Sequence, residues 1–330
     1  MPRFSPPWRT RLAEASPDFT PVTLITGFLG SGKTTLLRRE LNRAGDHAPA
    51  VVVNDFAGTP VDGTLLARGG RQPVVIAGGC ACCTRRDDLA QALASLLEDE
   101  QRCLAPRREV VIETSGLSDP GPIAFTIAHD PVLRHHYALA RVCVTVDALT
   151  GLGSIQRHPV ALRQLLAADD LFVTKADLAS AEQVEDVVRR LRAINPVASV
   201  SVTSRGELRR TERPRNSAAG RPEPRSLPGV AHTEGISTVE LAAKEPPDWE
   251  AFALWLSLLV HRHGPDVLRV KAVLDIRDVG PVALHGVQHI IHRPEHLPGA
   301  APQVSRVVLI VRGVDTELLE RSFHTFLAIR

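Results

Sequence analysis

With 330 residues, 44% of them hydrophobic and 23% charged, the chain is long enough for two domains and can bury a sizeable core. A formal net charge of +2 gives no grounds for a nucleic-acid or membrane partner, and no apolar run approaches the roughly 20 residues that span a bilayer. Five cysteines in so long a chain, three of them inside Cys80–Cys83, do not suit a disulfide framework.

Residues 1–19 read as a loose leader. Its proline- and arginine-rich start has no apolar core resembling a signal peptide, so a cytoplasmic location is expected. Val22–Ile25 predicts a short buried strand running into a glycine turn, and Leu36, Leu37 and Leu41 then fall at helical spacing. Further apolar strands are expected at Ala50–Val53, Val74–Ile76, Val110–Ile112, Val142–Val146 and Leu171–Val173. Helical stretches at Asp87–Leu97 and Glu182–Ile194 lie between some of them. Val184, Val187, Val188, Leu191 and Ile194 mark one face of the latter. The alternation predicts an α/β fold, a P-loop-type domain over 20–205 whose mostly parallel sheet is covered on both faces.

The pattern breaks at about Arg205. Residues 206–235 are rich in Arg, Pro, Gly and Ser and read as an exposed linker; its arginines fit a solvated tether, with an interaction surface as the alternative. A second, smaller α/β domain is expected over 236–330, in β-α-β-β-β-α order. Its strands are Thr238–Leu241, Leu268–Ile276, Val282–Ile291 and Val307–Val311. Its helices are Trp249–His261 and one from Asp315 that buries Leu319, Phe323 and Phe326.

Gly27-Phe28-Leu29-Gly30-Ser31-Gly32-Lys33-Thr34 fits G-x-x-x-x-G-K-[ST], between a strand and a helix as the motif requires. The backbone N–H groups around Gly30, Ser31 and Gly32, continuing to Thr35, can wrap phosphates at a helix N-terminus. Lys33 is expected to reach the β- and γ-phosphates, and the Thr34 hydroxyl to join a Mg²⁺ shell. Downstream, Val110–Ile112 runs into Glu113-Thr114-Ser115-Gly116. That places the Glu113 carboxylate beside the loop, where it could hold a Mg²⁺-bound water, and lets Gly116 offer its N–H to a γ-phosphate as a switch. Thr174-Lys175-Ala176-Asp177 has the form [NT]-K-x-D after a strand. Asp177 can accept from guanine N1–H and N2–H₂, a donor pair adenine lacks on that edge, while the Lys175 stem packs over the base. GTP is therefore favoured over ATP, although such a tetrapeptide alone could equally be a capped helix start.

Cys80-Ala81-Cys82-Cys83 is not a zinc-finger spacing. Three thiolates could occupy three positions of a distorted tetrahedron and leave the fourth open, as a transfer site needs; reactive or merely buried cysteines are the other reading. Thiolates are soft ligands that suit Zn²⁺ or Cu(I). Cys103 and Cys143 carry no special signal.

Taken together, Gly27–Thr35, Gly78-Gly79-Cys80-Ala81-Cys82-Cys83, Glu113–Pro120 and Thr174–Asp177 resemble the CobW-type GTPases of the SIMIBI class, alongside the hydrogenase and urease nickel-insertion GTPases. Leu268–Ala272 and Leu284–His289 are similar to that family's C-terminal domain. The resemblance implies GTP hydrolysis to GDP and phosphate, with Lys33, Asp55, Glu113 and Gly116 at the reaction. It implies Mg²⁺ near Thr34, Asp55 and Glu113, and Zn²⁺ or a relative such as Co²⁺ at Cys80, Cys82 and Cys83. Its partners would be a client metalloenzyme or a cofactor-synthesis protein, with a homodimer left open. Family roles include zinc delivery, cobalt handling in cobalamin synthesis and activation of nitrile hydratase.

Two departures stand out. The family's E-N-E-F-G-E segment is here Val53-Asn54-Asp55-Phe56-Ala57-Gly58, which keeps one carboxylate, and the linker lacks a histidine-rich run. Among the histidines, His129 falls where some relatives place a metal contact. His135-His136 and His261-x-His263 read as helix-end residues. His285 and His289 would share a face of a regular strand, with His292 opposite. A metal sensor or store with structural nucleotide, and an ATP-dependent small-molecule kinase or ligase, are the rival functions.

Overall fold

The computed structural model describes residues 19–44, 48–54, 74–76, 84–103, 109–204, 207–210, 235–297, 302 and 304–328. The chain divides into two compact units, Met1–Thr211 and Glu212–Arg330.

The first unit is built on an eight-stranded sheet. Its strands are β1 (Thr20–Thr26), β2 (Ala50–Asn54), β3 (Val74–Ile76), β4 (Val110–Glu113), β5 (Tyr137–Asp147), β6 (Asp170–Thr174), β7 (Ser199–Ser204) and β8 (Glu207–Arg210). They run in the order β3-β2-β4-β1-β5-β6-β7-β8. Every pairing is parallel except β7 with β8. Every residue of β1, β4 and β6 is buried, as befits strands covered on both faces.

Helices Lys33–Ala44, Thr84–Cys103, Pro120–His129, Gly151–Arg157, Pro159–Ala167 and Ala181–Ile194 connect the strands. The last opens with a capping box, Ser180 and Gln183 each bonding the other's backbone, and buries Val187, Val188, Leu191 and Ile194. Two strands depart from the sequence reading. β7 was not anticipated, and β8 occupies the start of the stretch read as linker.

The second unit carries an antiparallel sheet: β9 (Ile236–Ala243), β10 (Val267–Ile276), β11 (Gly280–Val287), β12 (Ile290–Ile291), β13 (Glu295–His296) and β14 (Ser305–Arg312). Its order is β12-β11-β10-β14-β9, with β13 also on β11. Helices Trp249–His263 and Thr316–Leu327 pack Phe252, Trp255, Leu259, Leu319 and Phe323 against Val270, Ala272 and Leu309 of the sheet. Trp255 meets Phe323 edge-on with ring centroids 5.0 Å apart, and its indole N–H donates to Ser322 Oγ at 3.1 Å.

The expected strand Val282–Ile291 is in fact broken. Gln288 adopts φ 55°, and Ile290–Ile291 folds back to pair with Gly286 and Val287. His285 and His289 therefore do not share a strand face. Instead the His292 N–H donates to the His285 carbonyl at 2.8 Å, setting those two residues opposite one another.

Candidate nucleotide site

The site grows from the C-terminal ends of four adjacent parallel strands, β4, β1, β5 and β6, where α/β sheets place their ligands. β1 runs into Gly27, whose φ is 144° and where a Cβ would lie 2.4 Å from Thr145 Oγ1 and 2.5 Å from the Thr145 carbonyl. Only glycine fits there. The loop closes through Ser31 N–H to the Phe28 carbonyl at 3.1 Å. Two side chains pin it from neighbouring strands: Thr145 Oγ1 lies 2.7 Å from Ser31 Oγ, and Thr174 Oγ1 donates to the Ser31 carbonyl at 2.7 Å.

Lys33 opens the following helix and is only 9% exposed. Its Nζ donates to the carbonyls of Gly27 at 3.0 Å and Phe28 at 3.3 Å. The ammonium thus sits over the loop, and a phosphate oxygen, being charged, is a better acceptor than either carbonyl. No acidic side chain occupies the first turn of this helix, leaving its N-terminal field available to an anion.

β4 delivers the second element. Register pairs Glu113 with Ile25, so its carboxylate ends beside the loop, 3% exposed, and accepts the Thr34 hydroxyl at Oε1, 2.5 Å away. The next residues tie to β1: Thr114 N–H reaches the Ile25 carbonyl at 3.0 Å, and Thr114 Oγ1 donates to Thr26 Oγ1 at 2.8 Å. Gly116 then presses on the loop, since a Cβ there would lie 2.7 Å from Leu29 N and 2.8 Å from Leu29 Cα.

Gly30, Gly32, Lys33, Thr34, Thr35, Glu113, Gly116 and Lys175 line one cleft of about 380 Å³. That volume lies in the usual range for small-molecule sites. A hydroxyl and a carboxylate converging in it form a hard oxygen donor set, which suits Mg²⁺.

The Thr174–Asp177 segment begins where β6 ends. Lys175 adopts φ 57°, a left-handed conformation uncommon for a side-chain-bearing residue, and its Nζ meets Asp147 Oδ2 at 2.6 Å. Burial pushes the Asp147 carboxyl up, but Lys175 and the N–H groups of Leu149 and Thr150 more than offset it, holding the carboxyl below its ordinary value. Asp177 sits exposed in the single 3₁₀ turn Ala176–Leu178 and does not line the phosphate cleft.

Asp147, Thr145 and Ser31's tie to Thr174 escaped the sequence reading. Asp147 carried a usable signal, because it ends an apolar strand just as Glu113 does. Thr145 and Thr174 act through backbone and hydroxyl contacts that no motif announces.

Asp55, Cys80, Cys82 and Cys83 lie outside the described residues. Among the described residues, no group of three or more His, Cys, Asp or Glu side chains is placed to hold a metal ion. His129 stacks on Phe125 at 4.2 Å and its Nδ1 lies 3.2 Å from the Phe125 carbonyl. Cys143 is fully buried, and burial raises its thiol pKa well above the ordinary value. Among the described residues no helix is long and apolar enough to cross a membrane.

Residues 21–202 match the family model described as "CobW/HypB/UreG, nucleotide-binding domain", and residues 236–327 the one described as "Cobalamin synthesis protein cobW C-terminal domain". The chain is 37% identical over 187 residues to "Zinc chaperone YjiA" of Escherichia coli (strain K12), covering 57% of this chain and 58% of that protein. It is 31% identical over 199 residues to "Zinc-regulated GTPase metalloprotein activator 1" of Schizosaccharomyces pombe, covering 58% and 47%. The chain thus spans about half the length of the curated relatives it matches. The solved structure titled "Crystal structure of Zn(II)-bound YjiA GTPase from E. coli" superposes with a TM-score of 0.63 at 25% identity, over 93% of this chain and 99% of that one.

Proposed function

Because the chain belongs to the CobW/HypB/UreG family and carries a cobW C-terminal domain, we propose that it binds and hydrolyses GTP and couples that cycle to the holding and delivery of Zn²⁺ or a related transition metal. The observation that carries this reading is the convergence of Lys33, Thr34, Glu113, Gly116 and Lys175 on one cleft.

In this mechanism Lys33 exchanges its contacts to the loop carbonyls for the β- and γ-phosphate oxygens, and the loop N–H groups wrap the same phosphates. Thr34 and Glu113, with Asp55, would hold Mg²⁺, which when bound neutralises charge developing on the phosphates. Gly116 offers its N–H toward the γ-phosphate, and Asp177 reads guanine. The proposed cargo site is Cys80, Cys82 and Cys83, which follow Asp55 and precede Gly116 in sequence, so the loss of γ-phosphate can change thiolate geometry. Delivery is to a client metalloenzyme or cofactor-synthesis protein in the cytoplasm, with Co²⁺ as an alternative cargo and a homodimer as a further assembly. The names of the relatives, a zinc chaperone and a zinc-regulated GTPase metalloprotein activator, support the choice of zinc.

Metal analysis of the full chain with GDP and with a non-hydrolysable GTP analogue tests the proposal. Bound Zn²⁺ that differs between the two states, and that is lost when Cys80, Cys82 and Cys83 are all replaced by Ser, is the expected result. Unchanged metal stoichiometry and GTPase rate in that variant would refute it. Competition of ATP against GTP disposes of the kinase alternative.

A further inference from the structure

Helix Pro159–Ala167 touches both phosphate-side elements, although none of its residues belongs to a nucleotide motif. At its N-terminal boundary His158 stacks on Phe28 of the phosphate loop, ring centroids 4.5 Å apart and planes 19° from parallel. One turn on, Arg163 Nε lies 2.7 Å from Asp119 Oδ2. Beside it Gln164, completely buried, donates through Nε2 to the Ser118 carbonyl at 2.9 Å and the Gly116 carbonyl at 3.3 Å. Two carbonyls facing one side-chain atom require the amide NH₂, because the amide oxygen would repel both.

Gly116 is consequently gripped from two sides. Leu29 of the phosphate loop bars any displacement toward the loop, and Gln164 holds its carbonyl from behind. The turn itself is closed by the Ser118 N–H to the Ser115 carbonyl at 3.1 Å. A polar amide at this position is conspicuous, since its neighbours Leu162, Leu165 and Leu166 are apolar and equally buried. Burying an amide is costly unless its bonds are made. Here the NH₂ meets both carbonyls while the buried Oε1 has no partner among the described residues, so the donor end is what matches this place.

Building on the GTP reading above, we infer that Gln164 is a positioning residue: by holding the Gly116 carbonyl it fixes the backbone that carries the Gly116 N–H, so that this N–H can register the γ-phosphate, and it links that event to helix Pro159–Ala167. The role concerns discrimination between GTP and GDP, not nucleotide affinity in general.

The test compares Gln164→Met, which keeps length but removes both donors, with Leu165→Ala, a core truncation in the same helix that leaves Gly116 untouched. Affinities for GDP and for a non-hydrolysable GTP analogue are measured on the full chain, together with kcat, KM and Tm. Gln164→Met should weaken the GTP analogue and lower kcat/KM by about 10- to 100-fold, as loss of two buried hydrogen bonds implies, with GDP affinity held within about twofold. Leu165→Ala should lower Tm without moving the GTP-to-GDP ratio. Equal weakening of both nucleotides by Gln164→Met, or the same altered ratio in Leu165→Ala, would overturn the assignment. Should Gln164→Met not fold, the Gln164 side-chain NH₂ resonances of the unmodified protein decide: they shift between the GDP and GTP-analogue states, and invariance refutes the role. A failure of the unmodified protein to prefer guanine nucleotides at all would instead bring down the GTP reading, and this inference with it.

Discussion

Thr34 donates its hydroxyl to Glu113 Oε1 at 2.5 Å across 79 residues of chain, joining the helix after the phosphate loop to the end of β4. If these two oxygens hold Mg²⁺ as proposed, that half of the site is preassembled, one oxygen held by the helix and the other by the central sheet. Glu113→Ala should therefore lower GTP hydrolysis and Mg²⁺ affinity by about 10- to 100-fold, the usual effect of removing a group that orients a metal's ligands. Mg²⁺ titrations of steady-state rate check this, with Mg²⁺-free GDP binding as the control that stays unchanged.

Gly116 has no room for a side chain: a Cβ there would meet the Leu29 backbone as well as the Leu29 side chain, and the backbone cannot rotate away. Gly116→Ala must push the two segments apart. A stability loss of about 1–3 kcal/mol is expected from such overpacking, together with a loss of GTP-analogue affinity that exceeds the loss for GDP. Urea unfolding and nucleotide titration on the same variant measure both.

The proposed guanine reader, Asp177, is exposed in its 3₁₀ turn. Asp177→Asn replaces one acceptor by a donor and breaks the paired hydrogen bonds. GTP should then bind about 10- to 100-fold more weakly, the worth of a bidentate contact to a base, while weak ATP binding stays as it was. Competition titration gives the ratio directly.

How much of this could be read from residues alone varies with the physics behind each element. β1, β4 and β6 bury every residue, so they stand out as uninterrupted apolar runs. β7 does not, because Ser199, Ser201 and Thr203 alternate with valines and its place is secured by polar contacts: Ser199 bonds Asp170, and Thr203 Oγ1 donates to the Val173 carbonyl at 3.1 Å. β8 is recruited by antiparallel backbone pairing with β7, so its Arg-containing sequence carried no apolar signal. The first half of β5 was likewise missed, since Tyr137–Arg141 alternates buried and half-buried residues while Val142–Val146 is continuous. In the second unit the turn at Gln288 has no glycine or proline to betray it. The phosphate loop and Glu113 were legible because their chemistry demands particular residue types at a fixed place; Gln164 was not, as one glutamine in an apolar helix looks like any other.

The Asp147–Lys175 pair predicts an acid-side signature. Asp147 has its carboxyl held below the ordinary value, so its contribution to stability is complete above the unfolded pKa and disappears as pH falls through the lower folded one. Lys175→Met removes the ammonium partner and should destabilise the protein near neutral pH. The gap from the unmodified protein should close on acidification below about pH 4, once the carboxyl is protonated in both. Urea midpoints across that range would show the convergence; a constant gap would mean the pair contributes nothing.

Cys143 supplies an internal reference for the cargo site. It is the central-sheet cysteine, completely buried, with its thiol pKa driven upward by loss of solvent, so thiolate formation and hence attack on a thiol reagent are suppressed. Of the chain's five cysteines, one should stay silent in the native protein and titrate only on unfolding. If Cys80, Cys82 and Cys83 bind the cargo, saturating Zn²⁺ should protect three further thiols, leaving Cys103 and the silent Cys143 as the two it does not affect. Replacing those three by Ser must abolish the protection while the silent thiol persists. Protection that survives the replacement would move the metal elsewhere, and a fast-reacting Cys143 would contradict its burial within β5 of the central sheet.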